Sequence, residues 1–308
     1  MKIVFAGTPE FAVPSLSELH AAGVEIAAVL TQPDKPQGRK GILTPSPVKQ
    51  KALELGIPVL QPARLREDLQ PLREAGADLM VTCAYGQILT QETLDLFPRG
   101  VWNVHASLLP AYRGAAPIAR AIMDGCKKTG VTIMKTDAGL DTGDIFLSEE
   151  LPIEENDTCG GLTQKLSLLG AKLIVQSVKE IEQGDIQLKK QGEGTVCKKV
   201  ARTCVDFSRS AEEVACLIRA LSPAPLAYAN IAGLTLNFYN AVAQESVGDT
   251  MYGTVLTDSP KEGFLVQCGK DAVRILELQA AGGKKLSAKD FLNGRKVQKG
   301  QRFEEPVL

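Results

Sequence analysis

The first half of the chain alternates short apolar runs with segments of helical pattern, and this alternation strongly limits the folds open to it. The runs KIVFAG, VEIAAVLT and DLMVTCA are each followed by a helical pattern. This order predicts parallel strands joined by crossover helices, that is, an α/β fold with a Rossmann-like, doubly wound, mostly parallel sheet. After the first strand, Gly7, Thr8 and Pro9 fit a turn, a helix cap and a first helical residue. The GxGxxG fingerprint of dinucleotide-binding proteins is absent.

The second half has a different pattern. VTIMKT and DIFLSEEL predict two strands on either side of GLDTGD, followed by a long amphipathic helix over about 158–183. Periodicity is then lost in a stretch rich in glycine and lysine, and beyond it one helix and several short strand patterns predict a smaller, OB-like β-barrel. We therefore expect a catalytic domain over 1–188, a linker over 189–205 and a C-terminal β-barrel domain over 206–308.

The charge of the chain is unevenly distributed, although the net charge is only −1. Residues 1–188 carry 18 Lys and Arg against 23 Asp and Glu, whereas residues 189–308 carry 17 against 13. A basic cluster near the C-terminus comprises Lys284, Lys285, Lys289, Arg295, Lys296, Lys299 and Arg302. Grouped cations of this kind indicate either a solvated surface or a phosphate-binding face for nucleic acid.

Cysteine usage and hydropathy argue against a disulfide-rich, zinc-binding, secreted or membrane-spanning protein. The seven cysteines are odd in number and never spaced CxxC, so neither a disulfide framework nor a structural zinc site is expected. The N-terminus enters a strand pattern without a signal-peptide core, and no apolar run approaches the length that spans a bilayer. The sequence therefore predicts a cytoplasmic protein with no membrane segment and no metal.

One polar cluster stands out as a candidate active site. It consists of NVHASLLPAYRG over 103–114 and GLDTGD over 139–144. Asn103 and His105 are two residues apart in an apolar run, so the two-residue period of a strand directs both to the same face. Imidazole is the side chain that most readily moves protons near neutral pH, and only two histidines exist in the chain. Asp141 is the expected partner of His105, although singly each residue is also compatible with a core or turn position.

Together with GTPEFAVPSL over 7–16, AYGQIL over 84–89 and GVTIMKTDAGLDTGD over 130–144, these motifs resemble those of the methionyl-tRNA formyltransferase family. The resemblance covers nearly the whole chain and is strongest over the first two hundred residues. It implies transfer of the formyl group of 10-formyltetrahydrofolate to the α-amine of initiator methionyl-tRNA. It also implies that Asn103, His105 and Asp141 are catalytic. We expect the reaction to need no metal and the protein to be a monomer.

The resemblance also implies two binding regions. Arg39 and Lys40, at the tip of a long loop over 32–49, would contact the tRNA; a flexible surface insertion is the alternative for that loop. Lys296, in the basic C-terminal cluster, is a further candidate for a phosphate contact because of its charge. Ala111 stands where the family commonly has a basic residue. The residues that match the folate-binding segments are Ser107, Leu108, Leu109, Pro110, Gln87, Ile88 and Leu89. Without the resemblance, residues 107–110 also fit the exit of a strand, and residues 87–89 also fit a buried strand-to-helix junction.

Formyl transfer to an amine needs stabilisation of a tetrahedral oxyanion and delivery of a proton to the departing nitrogen. Asn103 can donate amide hydrogens to the oxyanion. His105 can donate to the same oxygen or move the proton, and the sequence leaves both roles open. Asp141 would orient the imidazole and favour its protonated form.

Other functions are compatible with parts of the pattern. A sugar-nucleotide N-formyltransferase or a 10-formyltetrahydrofolate hydrolase would use the same three residues, whereas the basic loop and basic C-terminal part favour a tRNA acceptor. An NAD-linked oxidoreductase fits the sheet but lacks its glycine fingerprint. An RNA-binding protein without catalysis fits the basic end but leaves the polar cluster unexplained.

Overall fold

A computed structural model describes residues 1–38, 41–246, 250–294 and 297–306. The chain forms two compact units whose segments alternate along the sequence. The first unit comprises Met1–Gly114, Thr129–Leu151 and Thr163–Val196; the second comprises Ala115–Lys128, Pro152–Leu162 and Cys197–Leu308. The expected linear division at 188 and 206 stays a prediction.

The bounds of the regular elements follow in chain order. The helices are α1 Val13–Ala21, α2 Pro47–Glu54, α3 Gln70–Ala75, α4 Gln91–Leu94, α5 Pro117–Met123, α6 Cys159–Gln183, α7 Ala211–Ala220 and α8 Ala288–Asn293, with 3-10 turns at Glu10–Ala12 and Leu65–Glu67. The strands up to residue 152 are β1 Lys2–Gly7, β2 Glu25–Leu30, β3 Lys35–Gln37, β4 Ile42–Thr44, β5 Val59–Leu60, β6 Leu79–Cys83, β7 Val101–His105, β8 Arg113–Gly114, β9 Lys128–Lys135 and β10 Ile145–Pro152. The later strands are β11 Val196–Cys197, β12 Thr203–Cys204, β13 Ala227–Ile231, β14 Leu234–Gln244, β15 Val255–Thr257, β16 Phe264–Gln267, β17 Ala272–Ala280 and β18 Leu286–Ser287.

The first sheet has the order β10-β9-β7-β6-β1-β2-β5. Strands β5, β2, β1, β6 and β7 are parallel, and β9 pairs with β7 in the antiparallel direction. After β1, the chain adds β2 and β5 on one side of β1 and later adds β6 and β7 on the other side. The direction in which strands are added therefore reverses between β1 and β6. In open α/β sheets, ligands bind beyond the carboxyl ends of the strands at such a reversal. The predicted Rossmann-like sheet is confirmed.

The residues after β1 do not form the predicted helix start. Pro9 has extended backbone angles, a 3-10 turn follows it, and α1 begins only at Val13. The Thr8 hydroxyl does not cap the helix; it donates to the Tyr85 carbonyl at 2.8 Å. The prediction of a cap at Thr8 was wrong because the hydroxyl has a partner from a different strand end. The end of β1 is thereby tied to the end of β6.

The loop over 32–49 contains structure of its own. Strands β3 and β4 pair antiparallel within it, with Ile42 and Leu43 exposed. Lys49, in α2, forms an ion pair with Asp34 at 2.8 Å, and its hydrogen bond to that carboxylate holds the pKa of Asp34 below the ordinary value. The described part of this segment therefore contains two short antiparallel strands followed by a helix that Ser46 caps.

The second unit is built on a largely antiparallel sheet. Its strand order is β12-β13-β14-β17-β16-β15, with β18 added beside β17. Helix α7 contributes Val214 and Ile218 to a core that also contains Phe238, Phe264 and Phe303. The predicted second, smaller β-sheet unit is confirmed. No helix within the described ranges is both long and apolar enough to cross a membrane.

A capping box starts α7. The Ser210 hydroxyl accepts a hydrogen bond from the Glu213 amide at 3.3 Å, and the Glu213 carboxylate accepts one from the Ser210 amide at 3.0 Å. These bonds pair donors that the first turn of a helix otherwise leaves unsatisfied. The cap anchors the helix that carries part of the second core.

We expect Ser210→Ala to lower the free energy of unfolding by about 1 kcal/mol, because the cap is lost while the buried face of α7 is untouched. Urea denaturation measures this change. Ser148→Ala, at an exposed position of β10, is the matched control and should leave stability nearly unaltered. Equal stability of the two variants would contradict the capping role.

Candidate functional site

Strand β7 carries two of the predicted catalytic residues. Asn103 pairs with Thr82 of β6 on one side and with Met134 of β9 on the other, and His105 pairs with Thr132 of β9. Both residues lie near the carboxyl end of the strand, and their separation of two directs them to the same face of the sheet. His105 is only 5% exposed, whereas Asn103 is half-buried.

The Asn103 amide is oriented by its neighbour on β6. The Thr82 hydroxyl donates to Asn103 Oδ1 at 2.9 Å. Because the carbonyl end of the amide is occupied, the NH₂ end is directed away from Thr82. Within the described part of the chain, no protein group accepts a hydrogen bond from that NH₂. The side chain thus presents two donors for another acceptor.

The backbone fixes the proton position on His105. Its Nε2 lies 3.0 Å from the Tyr112 carbonyl oxygen, and since a carbonyl only accepts, Nε2 must carry hydrogen. In the neutral ring, Nδ1 then has the lone pair. Nδ1 lies 3.7 Å from Asp141 Oδ2, which is longer than a hydrogen bond but close enough for strong attraction once the ring is protonated.

Asp141 lies in a turn with unusual backbone geometry. Its φ of 51° is left-handed, which costs an L residue roughly 1–2 kcal/mol and is best tolerated by Asp, Asn and Gly. Its Oδ2 accepts a hydrogen bond from the Gly114 amide at 2.8 Å. The same turn brings Gly143 against the backbone carbonyl of Lys135, where a Cβ would overlap. The structure therefore brings His105 and Asp141 together, as the sequence predicted.

The segment after β7 folds back tightly. The Ser107 hydroxyl donates to the Ala111 carbonyl at 2.6 Å. Thr132 Oγ1 donates to the Ser107 carbonyl at 2.7 Å and accepts from the Leu109 amide at 3.1 Å. Leu109 is buried, whereas Leu108 and Pro110 are half-buried. These bonds fix residues 107–112 beside His105.

The three residues predicted after β6 have different environments. Gln87 accepts from the Leu65 amide at 2.8 Å and donates to the Pro62 carbonyl at 3.1 Å, so its side chain holds the backbone of a neighbouring loop. Leu89 packs on the hydrophobic core. Ile88, in contrast, is 88% exposed and has apolar surface that a ligand can cover.

Sequence reasoning missed two contributors. Thr82 orients Asn103, and its signal was a lone polar residue in the buried run LMVTC. Tyr112 acts through its carbonyl, a role that no side-chain pattern reveals. Cys83, at the end of β6, is unsuited to nucleophilic catalysis because burial raises the pKa of its thiol to about 12.

The predicted tRNA-contact residues Arg39, Lys40 and Lys296 lie outside the described residues.

Within the ranges that the structure covers, no group of three or more His, Cys, Asp and Glu is arranged to hold a metal ion. The predicted catalytic residues offer an amide, an imidazole and a carboxylate near the strand ends.

Comparison with known proteins identifies similar sequences over the full length. A formyl transferase family model matches residues 1–178, and a formyl transferase C-terminal domain model matches residues 198–296. The chain is 48% identical to a methionyl-tRNA formyltransferase of Janthinobacterium sp. (strain Marseille), covering 99% of this chain and 100% of that protein. It is 46% identical to one of Symbiobacterium thermophilum, covering 99% and 96%.

Two solved structures share the fold. An N-formyltransferase from Helicobacter canadensis, in complex with folinic acid and dTDP-3-aminofucose, superposes with a TM-score of 0.67 at 20% identity, covering 89% of this chain and 99% of that chain. HypX from Aquifex aeolicus, in complex with tetrahydrofolic acid, gives a TM-score of 0.67 at 18% identity, covering 97% of this chain and 48% of the longer HypX chain.

Gly143→Ala should destabilise the protein by about 1–3 kcal/mol, because the new methyl group displaces the Asp141 turn from the Lys135 backbone. Urea denaturation measures the loss. In Gly192→Ala the added Cβ meets no atom within 4 Å, so this matched variant should retain the stability of the parent. A fully stable Gly143→Ala would show that the turn packs less closely than described.

Proposed function

The chain belongs to the methionyl-tRNA formyltransferase family, and on that premise we propose that it transfers the formyl group of 10-formyltetrahydrofolate to the α-amine of initiator methionyl-tRNA. The observation that carries this proposal is the similarity to methionyl-tRNA formyltransferases across both the N-terminal and the C-terminal parts. The product, formylmethionyl initiator tRNA, serves translation initiation. We further propose that the protein acts as a cytoplasmic monomer.

Asn103 stabilises the tetrahedral intermediate in this proposal. The amine attacks the formyl carbon, a C–N bond forms, and the carbonyl oxygen acquires negative charge. The NH₂ of Asn103, directed away from Thr82, donates to that oxygen. Because the charge is greatest in the transition state, such a donor lowers the barrier more than it strengthens substrate binding.

His105 moves the proton. The attacking amine becomes cationic and must lose a proton, while N10 of the folate must gain one before the C–N10 bond breaks. With hydrogen on Nε2, the lone pair of Nδ1 accepts the proton from the amine and returns it to N10. The Asp141 carboxylate at 3.7 Å stabilises the transient imidazolium. The oxyanion then re-forms the C=O bond as the C–N10 bond breaks, so the formyl group stays on the amine and tetrahydrofolate leaves with the proton on N10.

The binding regions follow the family motifs. We assign the folate to the carboxyl ends of β6 and β7, where Ile88 exposes apolar surface that a flat ring can cover, and to residues 107–110, which the Ser107–Ala111 hydrogen bond holds in place. Gln87 supports this region through its bonds to the adjacent loop. The tRNA is assigned to Arg39 and Lys40 and to the basic C-terminal domain over 206–308, including Lys296.

The test offers the protein 10-formyltetrahydrofolate with initiator tRNA charged with methionine. Formylmethionine on the tRNA and an equal amount of tetrahydrofolate are the expected products. Uncharged tRNA, a dTDP-amino sugar and no acceptor are the controls. Transfer to the amino sugar would favour a sugar N-formyltransferase, release of formate without acceptor would favour a hydrolase, and no turnover at all would favour an RNA-binding protein.

Replacing Asn103 by Ala should lower kcat by about 10²-fold or more, because an oxyanion donor is lost, with little change in KM for either substrate. Steady-state formylation assays measure both constants. Asn156→Ala, in an exposed loop, is the matched control and should retain full activity. A large rise in KM at constant kcat would instead make Asn103 a binding residue.

Neutralising Arg39 or Lys296 should weaken tRNA binding and flatten its dependence on salt, because each phosphate contact releases counterions. Filter binding at several salt concentrations measures affinity and slope together. Lys172→Ala removes an exposed cation from α6 that already pairs with Glu149 at 3.1 Å, and the slope should then stay unchanged. Parallel slopes for parent and variants would argue against phosphate contacts at these positions.

A further inference from the structure

The start of the predicted linker makes specific contacts with the Asp141 turn. Gln191 Nε2 donates to the Asp141 carbonyl at 3.0 Å and to the Gly143 carbonyl at 2.6 Å. Both amide hydrogens of the side chain are thus used on one turn. A connecting segment with no role beyond joining domains has no need for such contacts.

The opposite end of the same amide is equally occupied. Gln191 Oε1 accepts from Arg113 Nε at 3.0 Å and from Arg113 Nη2 at 2.9 Å. Because the guanidinium only donates, the oxygen must face Arg113 and the NH₂ must face the turn. Arg113 Nη2 also donates to the Gly192 carbonyl at 2.9 Å. The orientation of Gln191 is therefore unambiguous.

Arg113 lies between the two residues that contact the catalytic side chains. The carbonyl of Tyr112 accepts from His105, and the amide of Gly114 donates to Asp141. The Gln191 side chain links this segment to the Asp141 backbone, which closes a ring of hydrogen bonds. The relative position of His105 Nδ1 and Asp141 Oδ2 depends on that ring.

We propose that Gln191 is a positioning residue for formyl transfer: its side-chain amide, oriented by Arg113, holds the Asp141 turn so that the Asp141 carboxylate faces His105 Nδ1. The left-handed backbone of Asp141 is unfavourable in isolation, so the turn needs external contacts to keep its shape. Reacting groups displaced by about 1 Å can lose on the order of 10²-fold in rate. The inference rests on the proposed function for its kinetic readout.

The kinetic test uses Gln191→Glu and Gln191→Ala in the full chain. The Glu variant keeps the shape and the acceptors for Arg113 but loses both donors to the turn. We expect either variant to lower kcat by about 10- to 100-fold while KM for the folate and the tRNA stays constant. Gln176→Ala, which removes an exposed glutamine that donates to Glu180 within α6, should be fully active. An unchanged kcat in Gln191→Glu would overturn the proposal.

A coupling test separates positioning from general structural support. If Gln191 acts through the Asp141 carboxylate, adding Gln191→Glu to Asp141→Asn should cause no further loss of kcat. Asn tolerates the left-handed backbone as Asp does, so the first substitution removes mainly the charge. If Gln191→Glu lowers kcat by the same factor in the parent and in the Asp141→Asn variant, Gln191 has a general structural role instead.

A measurement without substrate keeps this inference apart from the proposed function. The chain has only two histidines, so the imidazole resonances of His105 and His20 can be followed by NMR. We expect Gln191→Glu to shift the His105 resonances and to leave those of His20, on α1, in place. Unshifted His105 resonances would refute the positioning role. If the parent protein does not formylate methionyl-tRNA, the proposed function is refuted. The His105 resonances would still show whether Gln191 positions the Asp141 turn.

Discussion

The hydrogen bond from His105 Nε2 to the Tyr112 carbonyl is the interaction on which the proposed chemistry depends. A backbone oxygen has no proton to give, so it permits one tautomer of the neutral ring and turns the basic nitrogen toward Asp141. Without that acceptor, the neutral ring could carry its proton on either nitrogen, and Nδ1 would alternate between donor and acceptor toward the carboxylate. The tight segment over 107–112 therefore determines the chemical character of an imidazole located several residues earlier.

Two buried threonines connect the sheet to that segment. Thr82 on β6 and Thr132 on β9 flank β7 on opposite sides, and each is paired in register with a residue of the candidate site. A hydroxyl inside an apolar sheet is costly unless it is bonded. Thr82 is satisfied by Asn103, and Thr132 by the backbone of Ser107 and Leu109. The need to satisfy these hydroxyls thus orients one catalytic candidate and anchors the loop beside another.

Much of this arrangement follows from the sequence. Alternating apolar runs predicted the order of strands and helices, and the two-residue period predicted that Asn103 and His105 share a face. Contacts between distant elements were beyond such reasoning. The partner of Thr8 is a carbonyl at Tyr85, which no local pattern specifies. The Gln191 contacts likewise join residues that are distant in the sequence. The glycine-rich composition around Gln191 indicated a linker. Polar side chains that bond backbone groups give no periodic signal, so the sequence did not reveal these contacts.

The alternation of segments between the two compact units has a consequence for recombining these enzymes. Residues 163–196 belong to the same unit as β7 and the Asp141 turn, whereas residues 115–128 and 152–162 belong to the other. In a chimera joined at residue 188, Gln191 and the Asp141 turn that it contacts would come from different parents, and the second unit would be split between the two parents. Exchange of the second unit among relatives therefore requires a junction after residue 196 and matched replacement of residues 115–128 and 152–162.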